Sequence, residues 1–313
     1  MDSGLKYLDA GVSNTLVGRG HPRIAEAIAR QLVSPEEGIR ELYIERLLTK
    51  FPAPLSVCYL VHSVNEATEV ALRLARTHRP GKDVIVLEDT DYGMTTSLAN
   101  MSPGRRKFWV QVASRRVAAE VAEKARVIQA SGRGLCGFFA EGVFADGYLR
   151  EAYASVRSAG GINVAIEAQT GMGRVGGEFW EFVRQGVLPD VVVVGDSMGN
   201  GFPMAAVVTT PALAAPFETG SGGGAAACAA GLAVLEELEP PTWSPDFGGL
   251  GLEVRGAGLC FEIEVPDARV TVERLRERGI RIGARGNTLL FRPALTFSRG
   301  DAARFVGELA RTV

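Results

Sequence analysis

A chain of 313 residues with 46% apolar and 22% charged side chains has the composition of a globular protein with one large unit and a smaller companion, and that excludes a disordered or membrane-embedded class. Its net charge of −2 supplies no field for nucleic acid or for an anionic lipid surface. MDSGLKYLDAG at the start has no basic stretch followed by an apolar one, and no apolar run approaches the roughly 20 residues a bilayer needs, so the expected location is the cytoplasm. Cys58, Cys136, Cys228 and Cys260 are widely separated, form no CxxC pair and have no histidine near enough to complete a metal site. They read as small core residues in a reduced compartment, and no metal is expected.

From residue 56 onward strand and helix patterns alternate. SVCYLVHS (56–63) predicts a buried strand, and Ser63 followed by Glu66 is the S-x-x-E signature of a capping box, opening the helix EATEVALRLARTH, which stops before Pro80-Gly81. DVIVLED (83–89) and KFWVQV (107–112) predict strands, and SRRVAAEVAEKARVIQA (114–130) has the apolar spacing of a helix. LCGFFAEGV, the helix YLREAYASVRSAG and INVAIEA add two strands around a crossover. GEFWEFVRQG and DVVVVGD repeat the unit, whereas AAVVTT (205–210) follows too closely for a parallel crossover and is expected to pair antiparallel. Strands at helix-length intervals argue for a mostly parallel sheet covered on both faces. AAACAAGLAVLEELE (225–239) predicts a helix ending in the breaker-rich EPPTWSPDFGGLG. Beyond it LCFEIEV, the helix RVTVERLRERG, the short strands IRIGA and NTLLFRPA, and the helix DAARFVGELART form a small α+β unit. GSGGG (220–224) reads as a mobile loop. The expected organisation is a segment over 1–38 packing on both units, a large α/β domain over 39–240 and a small α+β domain over 241–313.

One residue stands out of this pattern. In DVVVVGDSMGNGFPM (190–204) four valines predict a buried strand and GNGFP a tight turn, so Asp196 sits where the chain leaves the sheet, at the strand end where open α/β folds bind ligands. The structural alternative is a helix cap, or a turn residue that bonds the GNGFP amides.

LVHSVNEATEVALRLAR, DVIVLEDTDYGMTTSL, IEAQTGMGRVGGEFWEF and GVLPDVVVVGDSMGNGFPMAAVVTT, in this order, resemble class III aminotransferases, fold-type-I enzymes that use pyridoxal phosphate. YIERLLTKFPAPLSVCYLV is similar to the ethanolamine-phosphate phospho-lyase branch. The resemblance covers nearly the whole chain. It implies an α/β fold with a mostly parallel seven-stranded sheet plus a small α+β domain, a homodimer with sites at the interface, and small-molecule substrates.

The positions that the resemblance assigns to the cofactor depart from the family pattern. Where G-K-x-x-G-N-G carries the Schiff-base lysine, the chain reads Gly195, Asp196, Ser197, Met198, Gly199, Asn200, Gly201. Where D-E-x-Q-T-G holds the pyridine nitrogen with its aspartate, Ile166 precedes Glu167, Ala168, Gln169, Thr170 and Gly171. Val64 interrupts the phosphate loop S-G-S-E-A-N, Asp91 stands at the ring-stacking aromatic of Y-H-G, Gly220 replaces the partner subunit's phosphate threonine in a shortened loop, and Leu290 replaces the carboxylate arginine of R-x-x-P-P-L. Arg292, two residues on, reads as solvent-facing. The lysines are Lys6, Lys50, Lys82, Lys107 and Lys124, all in expected surface helices or strand edges.

On these substitutions the expectation is that pyridoxal phosphate is lost and no cofactor is used. The emptied cleft would be lined by Asp196, Asp91 and Glu167 as proton-transfer candidates and by Gln169, Tyr92, Asn65 and His62 as substrate-holding candidates. That describes a cofactor-independent biosynthetic enzyme. Each residue also has a structural reading: Glu167 in packing, His62 as a satisfied buried histidine, Asp91 and Tyr92 in a solvated loop, Gln169 as an inherited residue without a task. The competing class is a non-catalytic pseudoenzyme, a partner subunit or small-ligand binder that keeps the fold and the dimer face.

Overall fold

The computed structural model of the chain describes residues 7–11, 14–79, 81–214 and 222–313. Lys6, Pro80, Gly220 and Ser221 of the GSGGG stretch lie outside the described residues.

The chain enters through β1 (Leu8–Asp9), α1 (Pro22–Val33) and α2 (Ile39–Leu48). Pro22 opens α1 at the position where a missing N–H costs nothing. Both helices pack on a later one, α9. β2 (Val57–Val61) leads into α3 (Val64–His78), started by Ser63, whose Oγ accepts from the Glu66 N–H at 3.2 Å. The capping box is modified: the Glu66 carboxylate accepts from the amide of His62 at 2.9 Å, one residue before the cap.

β3 (Asp83–Leu87), α4 (Thr96–Ala99), β4 (Val110–Ala113), α5 (Ala118–Ala130), β5 (Leu135–Glu141), α6 (Tyr148–Ser158) and β6 (Ile162–Ile166) follow. After them come α7 (Glu181–Arg184), β7 (Val191–Gly195), β8 (Ala205–Thr209), α8 (Pro211–Ala214) and α9 (Ala225–Glu237). β4 starts later than KFWVQV suggests, because the Val110 amide closes a turn onto Lys107 O at 2.9 Å and Phe108 is left exposed. GEFWEFVRQG gives only the single turn α7, with Trp180 and Phe182 spent on aromatic packing.

The large sheet has the order β2-β8-β7-β6-β5-β3-β4. β4, β3, β5, β6 and β7 run parallel, and β8 is antiparallel to both β7 and β2, as the short connection requires. Both faces are buried. Leu87, Phe138, Val192 and Val208 pack with α2, α5, α6 and α9 on one side; Val84, Phe139, Val193 and Val207 pack with α3 and α4 on the other. All parallel strands therefore deliver their carboxyl ends, at residues 88, 114, 141, 167 and 196, to one edge.

The small unit comprises β9 (Val254–Ala257), β10 (Cys260–Glu264), α10 (Ala268–Glu277), β11 (Ile280–Arg281), β12 (Gly283–Arg285), β13 (Thr288–Phe291) and α11 (Arg299–Ala310). IRIGA divides: β11 pairs parallel with β1, tying the N-terminal segment to this unit, while β12 joins the antiparallel sheet β12-β13-β10-β9. Strand alternation sets its two faces. Phe261, Ile263, Leu289 and Phe291 enter a core with Phe247 and Phe305, so Cys260, Glu262 and Glu264 face the other way. Cys260 meets Val143 and Val175 of the large unit.

Candidate active site

Asp196 is the first residue after β7 and adopts a left-handed backbone, φ 53°. A non-glycine residue rarely holds that conformation without a surrounding structure that imposes it. The GNGFP turn closes on its own backbone: Ser197 N–H donates to Gly195 O, Asn200 N–H to Ser197 O and Phe202 N–H to Gly199 O. Among the described residues no turn amide bonds the Asp196 carboxylate and no cation pairs with it, so it is not a turn lock. Its one hydrogen-bond partner is Gln169, whose Nε2 lies 3.5 Å from Oδ2. Burial pushes its carboxyl above the usual carboxylate range. Asn200 does the structural work of the turn, accepting from Val17 N–H at 3.0 Å and donating to Gly18 O at 2.9 Å.

Glu141, at the end of β5, is a second acid that the sequence reading missed. It is half-buried, and burial raises its carboxyl despite the nearby Arg292, Arg285 and Arg115; the charge of Asp196 adds to the rise. The signal was available, since the apolar run LCGFFA ends on an acid just as VVVVG does.

The other candidates are placed apart from this pair. Tyr92 is corrected from a substrate-holding residue to a core residue. It is 3% exposed, and its hydroxyl accepts from Leu87 N–H and donates to Phe139 O, both at 2.9 Å. Glu167 is buried, with Oε2 accepting from Thr170 Oγ1 and Oε1 from Phe182 N–H at 3.0 Å. Desolvation lifts its pKa to about 7, against the pull of those two donors. Asp91 is exposed and accepts from Gly93 N–H at 3.0 Å and Ser102 Oγ at 2.8 Å, an Asx turn. Asn65 Oδ1 accepts from Met94 N–H at 3.2 Å, and His62 is exposed, its Nδ1 3.4 Å from Glu66. Among the described residues none of these five bonds Asp196 or Gln169.

Arg292 is also corrected: it is 4% exposed, not solvent-facing. Its Nη2, Arg115 Nη1 and Arg285 Nη2 each lie 3.1 Å from Glu262 Oε1, beside Gly142, where a Cβ would stand 2.8 Å from Arg115 Nη1. Burial raises the Glu262 carboxyl, but the guanidiniums of Arg115, Arg292, Arg285 and Arg255 prevail and hold it below its usual value.

The family model for class III aminotransferases matches residues 2–248. Among curated relatives, an alanine–glyoxylate aminotransferase 2-like protein of Drosophila melanogaster is 31% identical over 97% of this chain and 78% of its own length. The mitochondrial alanine–glyoxylate aminotransferase 2 of Homo sapiens is 30% identical over 87% and 68%. Among solved structures, a phospholyase from Arthrobacter in complex with phosphoethanolamine superposes with a TM-score of 0.88 at 29% identity, covering 98% of this chain and 90% of that one.

The expectation of no cofactor is thereby corrected, because the relatives point to pyridoxal phosphate; a Toxoplasma gondii ornithine aminotransferase of the same fold, with TM-score 0.82, 22% identity and coverage of 98% and 85%, has it partly occupying its active site. The described residues do not fit that group held as an imine. Asp196 offers no amine. Lys82 and Lys107 are exposed at the amino ends of β3 and β4, opposite the cleft, Lys50 lies 5.6 Å from the Phe179 ring centroid and Lys124 pairs with Glu123. Ile166 is buried in the core, and a Val64 methyl lies 2.3 Å from where a Cβ on Gly195 would stand, so it covers the strand end beside Asp196. Sheet order, helix placement and sequence agree on the lineage: the chain belongs to the class III aminotransferase family.

Proposed function

We propose that the cleft at the carboxyl ends of β3, β5, β6 and β7 binds a small phosphorylated amine and that Asp196 transfers a proton to or from one of its nitrogen or oxygen atoms. The observation that carries this reading is the Asp196 carboxylate itself: half-buried, on an imposed left-handed backbone, free of the turn amides and held only by Gln169. Burial raises both the Asp196 and the Glu141 carboxyl, and the charge of Asp196 adds to the rise at Glu141, the direction that suits a carboxyl for acid or base work. A well-placed group of this kind supplies about 100-fold to 10,000-fold. Gln169 orients the carboxylate. The substrate class is supported by the Arthrobacter phospholyase, which binds phosphoethanolamine.

The same reading has the chain working as a homodimer, as its family does, with Leu32 and Val33 at the end of α1 and Leu42 on α2 as exposed apolar contacts. Phosphorylated amines, phosphoethanolamine first, are incubated with the protein in parallel series with and without added pyridoxal phosphate, and phosphorus-31 spectra report conversion. Asp196→Asn is expected to reduce turnover about 100-fold or more. Equal rates in the two proteins would remove Asp196 from the chemistry, and binding with no turnover in either would assign the cleft to a binding-only role.

A further inference from the structure

The charges around Glu262 do not balance. Arg116 and Arg255 are matched by Glu253 and Glu264, with contacts of 2.7–3.4 Å among the four. Arg115, Arg285 and Arg292 remain. All three converge on one oxygen, Glu262 Oε1, while Arg255 alone reaches Oε2, at 3.5 Å. Three guanidiniums against one carboxylate leave two positive charges in a place where Arg115 is 7% and Arg292 4% exposed. Buried charge of one sign is costly unless an opposite charge meets it.

Nor are the donors used up. The Nε–H groups of Arg115 and Arg292 are buried and have no acceptor among the described residues. Arg115 Nη2 is spent on Thr90 Oγ1 at 2.8 Å, but Arg285, with 30% of its side chain exposed, has only the Glu262 contact among the described residues. Two further acids stand near the group, Glu88, whose Oε1 accepts from the Arg115 amide at 3.2 Å, and Glu141, and neither carboxylate has a hydrogen bond to any of these guanidiniums among the described residues. Burial raises the Glu141 carboxyl against the pull of Arg292, Arg285 and Arg115, so it meets their charge through the field alone and leaves their donors without an acceptor. Gly142, by lacking a side chain, lets Arg115 stand against the end of β5, and so places the excess charge next to Glu141.

We propose that Arg115, Arg285 and Arg292 form the subsite for a doubly charged anion, the phosphate monoester of the substrate, between the carboxyl end of β5 and the charged face of the small sheet. A phosphate dianion supplies the two missing negative charges and up to three acceptor oxygens for guanidinium donors, a geometry arginine suits better than lysine. Arg285, the exposed member, is the entry-side contact. The inference rests on the reading of the cleft as a site for phosphorylated substrates, and it places the phosphate away from the N-terminus of α3, where Val64 crowds the approach.

The test is a titration of the intact protein with inorganic phosphate at constant ionic strength, read by phosphorus-31 line broadening. Saturable binding is expected, weakened about tenfold or more in Arg285→Gln. Arg126→Gln, an exposed position on α5, controls for loss of one surface charge and is expected to bind as wild type. Ser63→Ala tests the α3 N-terminus and is also expected to bind as wild type. Absence of saturable binding, or equal affinity in Arg285→Gln, overturns the subsite, as does loss of binding in Ser63→Ala with retention in Arg285→Gln. Since binding is read without turnover, a subsite that survives while Asp196→Asn keeps full activity removes the proton-transfer role alone.

Discussion

Glu167→Gln isolates what burying one carboxyl does to the stability of this sheet. Glu167 is 3% exposed, and burial raises its pKa from 4.5 to about 7 in the folded chain. The fold therefore favours the protonated form. Its contribution is fully present below pH about 4.5 and is lost as pH rises through about 7, because the unfolded chain gives up that proton more readily. A difference of about 2.5 units corresponds to roughly 3 kcal/mol, of which about 2 to 3 kcal/mol falls between pH 5 and 8, steepest below 7. Glutamine mimics the neutral acid: its oxygen accepts from Phe182 N–H, and its amide donates to Thr170 Oγ1 once that hydroxyl turns. Urea unfolding of both proteins at pH 5, 6, 7 and 8 measures the effect. Glu141 and Asp196 shift in the same direction and are present in both proteins, so the difference between the two curves belongs to Glu167. The variant is expected to gain on the wild type by that amount as pH rises. Parallel curves, or a variant that loses ground toward pH 8, would refute the reasoning.

Tyr92→Phe leaves Leu87 N–H and Phe139 O unpaired inside the sheet and is expected to lower stability by about 2 to 4 kcal/mol with an unchanged denaturant slope. A raised KM at unchanged stability would return Tyr92 to the cleft. Glu262→Ala removes the one carboxylate that Arg115, Arg285 and Arg292 share among the described residues, so a loss of about 3 to 5 kcal/mol is expected. Phosphate should raise the melting temperature of this variant more than that of the wild type, and an equal or smaller rise counts against an anion site there.

Much of the fold was legible because its signals are local. VVVV before GNGFP marks a buried strand and its exit, and the few residues between β7 and β8 leave no room for a parallel crossover. What escaped depended on distant partners. Nothing near Tyr92 announces that its hydroxyl reaches Phe139, 47 positions away, and a tyrosine after an exposed aspartate reads as loop. Arg292 follows an inward-facing Phe291, so alternation does point it away from the small core; that this outer face is covered by Arg115 and Gly142 of the large unit is a tertiary fact. α1 carries Ile24, Ala27, Ile28 and Gln31 on one helical face, a local signal that the reading of 1–38 as a single packing segment left unused. GEFWEFVRQG has helix-like composition, yet Phe51 and Phe179 stack on Trp180 and Gly186 turns the chain at φ 64°, so a single turn is all that forms.

Three acids end or follow three neighbouring strands, and sequence gives them equal standing; their surroundings do not. Glu167 has a backbone amide and a hydroxyl donating to it, which makes it a brace between β6 and α7. Glu141 faces an excess of guanidinium charge without bonding any of it. Asp196 has a left-handed backbone and, among the described residues, a single long amide contact and no cation. Proton transfer needs a carboxyl whose oxygens are neither saturated by fixed donors nor pinned by a counter-charge, because either condition locks the ionised form or removes the lone pair that must react. Of the three only Asp196 meets it, because Glu141 lies in the field of Arg292, Arg285 and Arg115. The division of labour between brace, anion-side acid and reacting acid thus follows from which donors each strand end meets, a property of the sheet order and of the small sheet's charged face rather than of any motif.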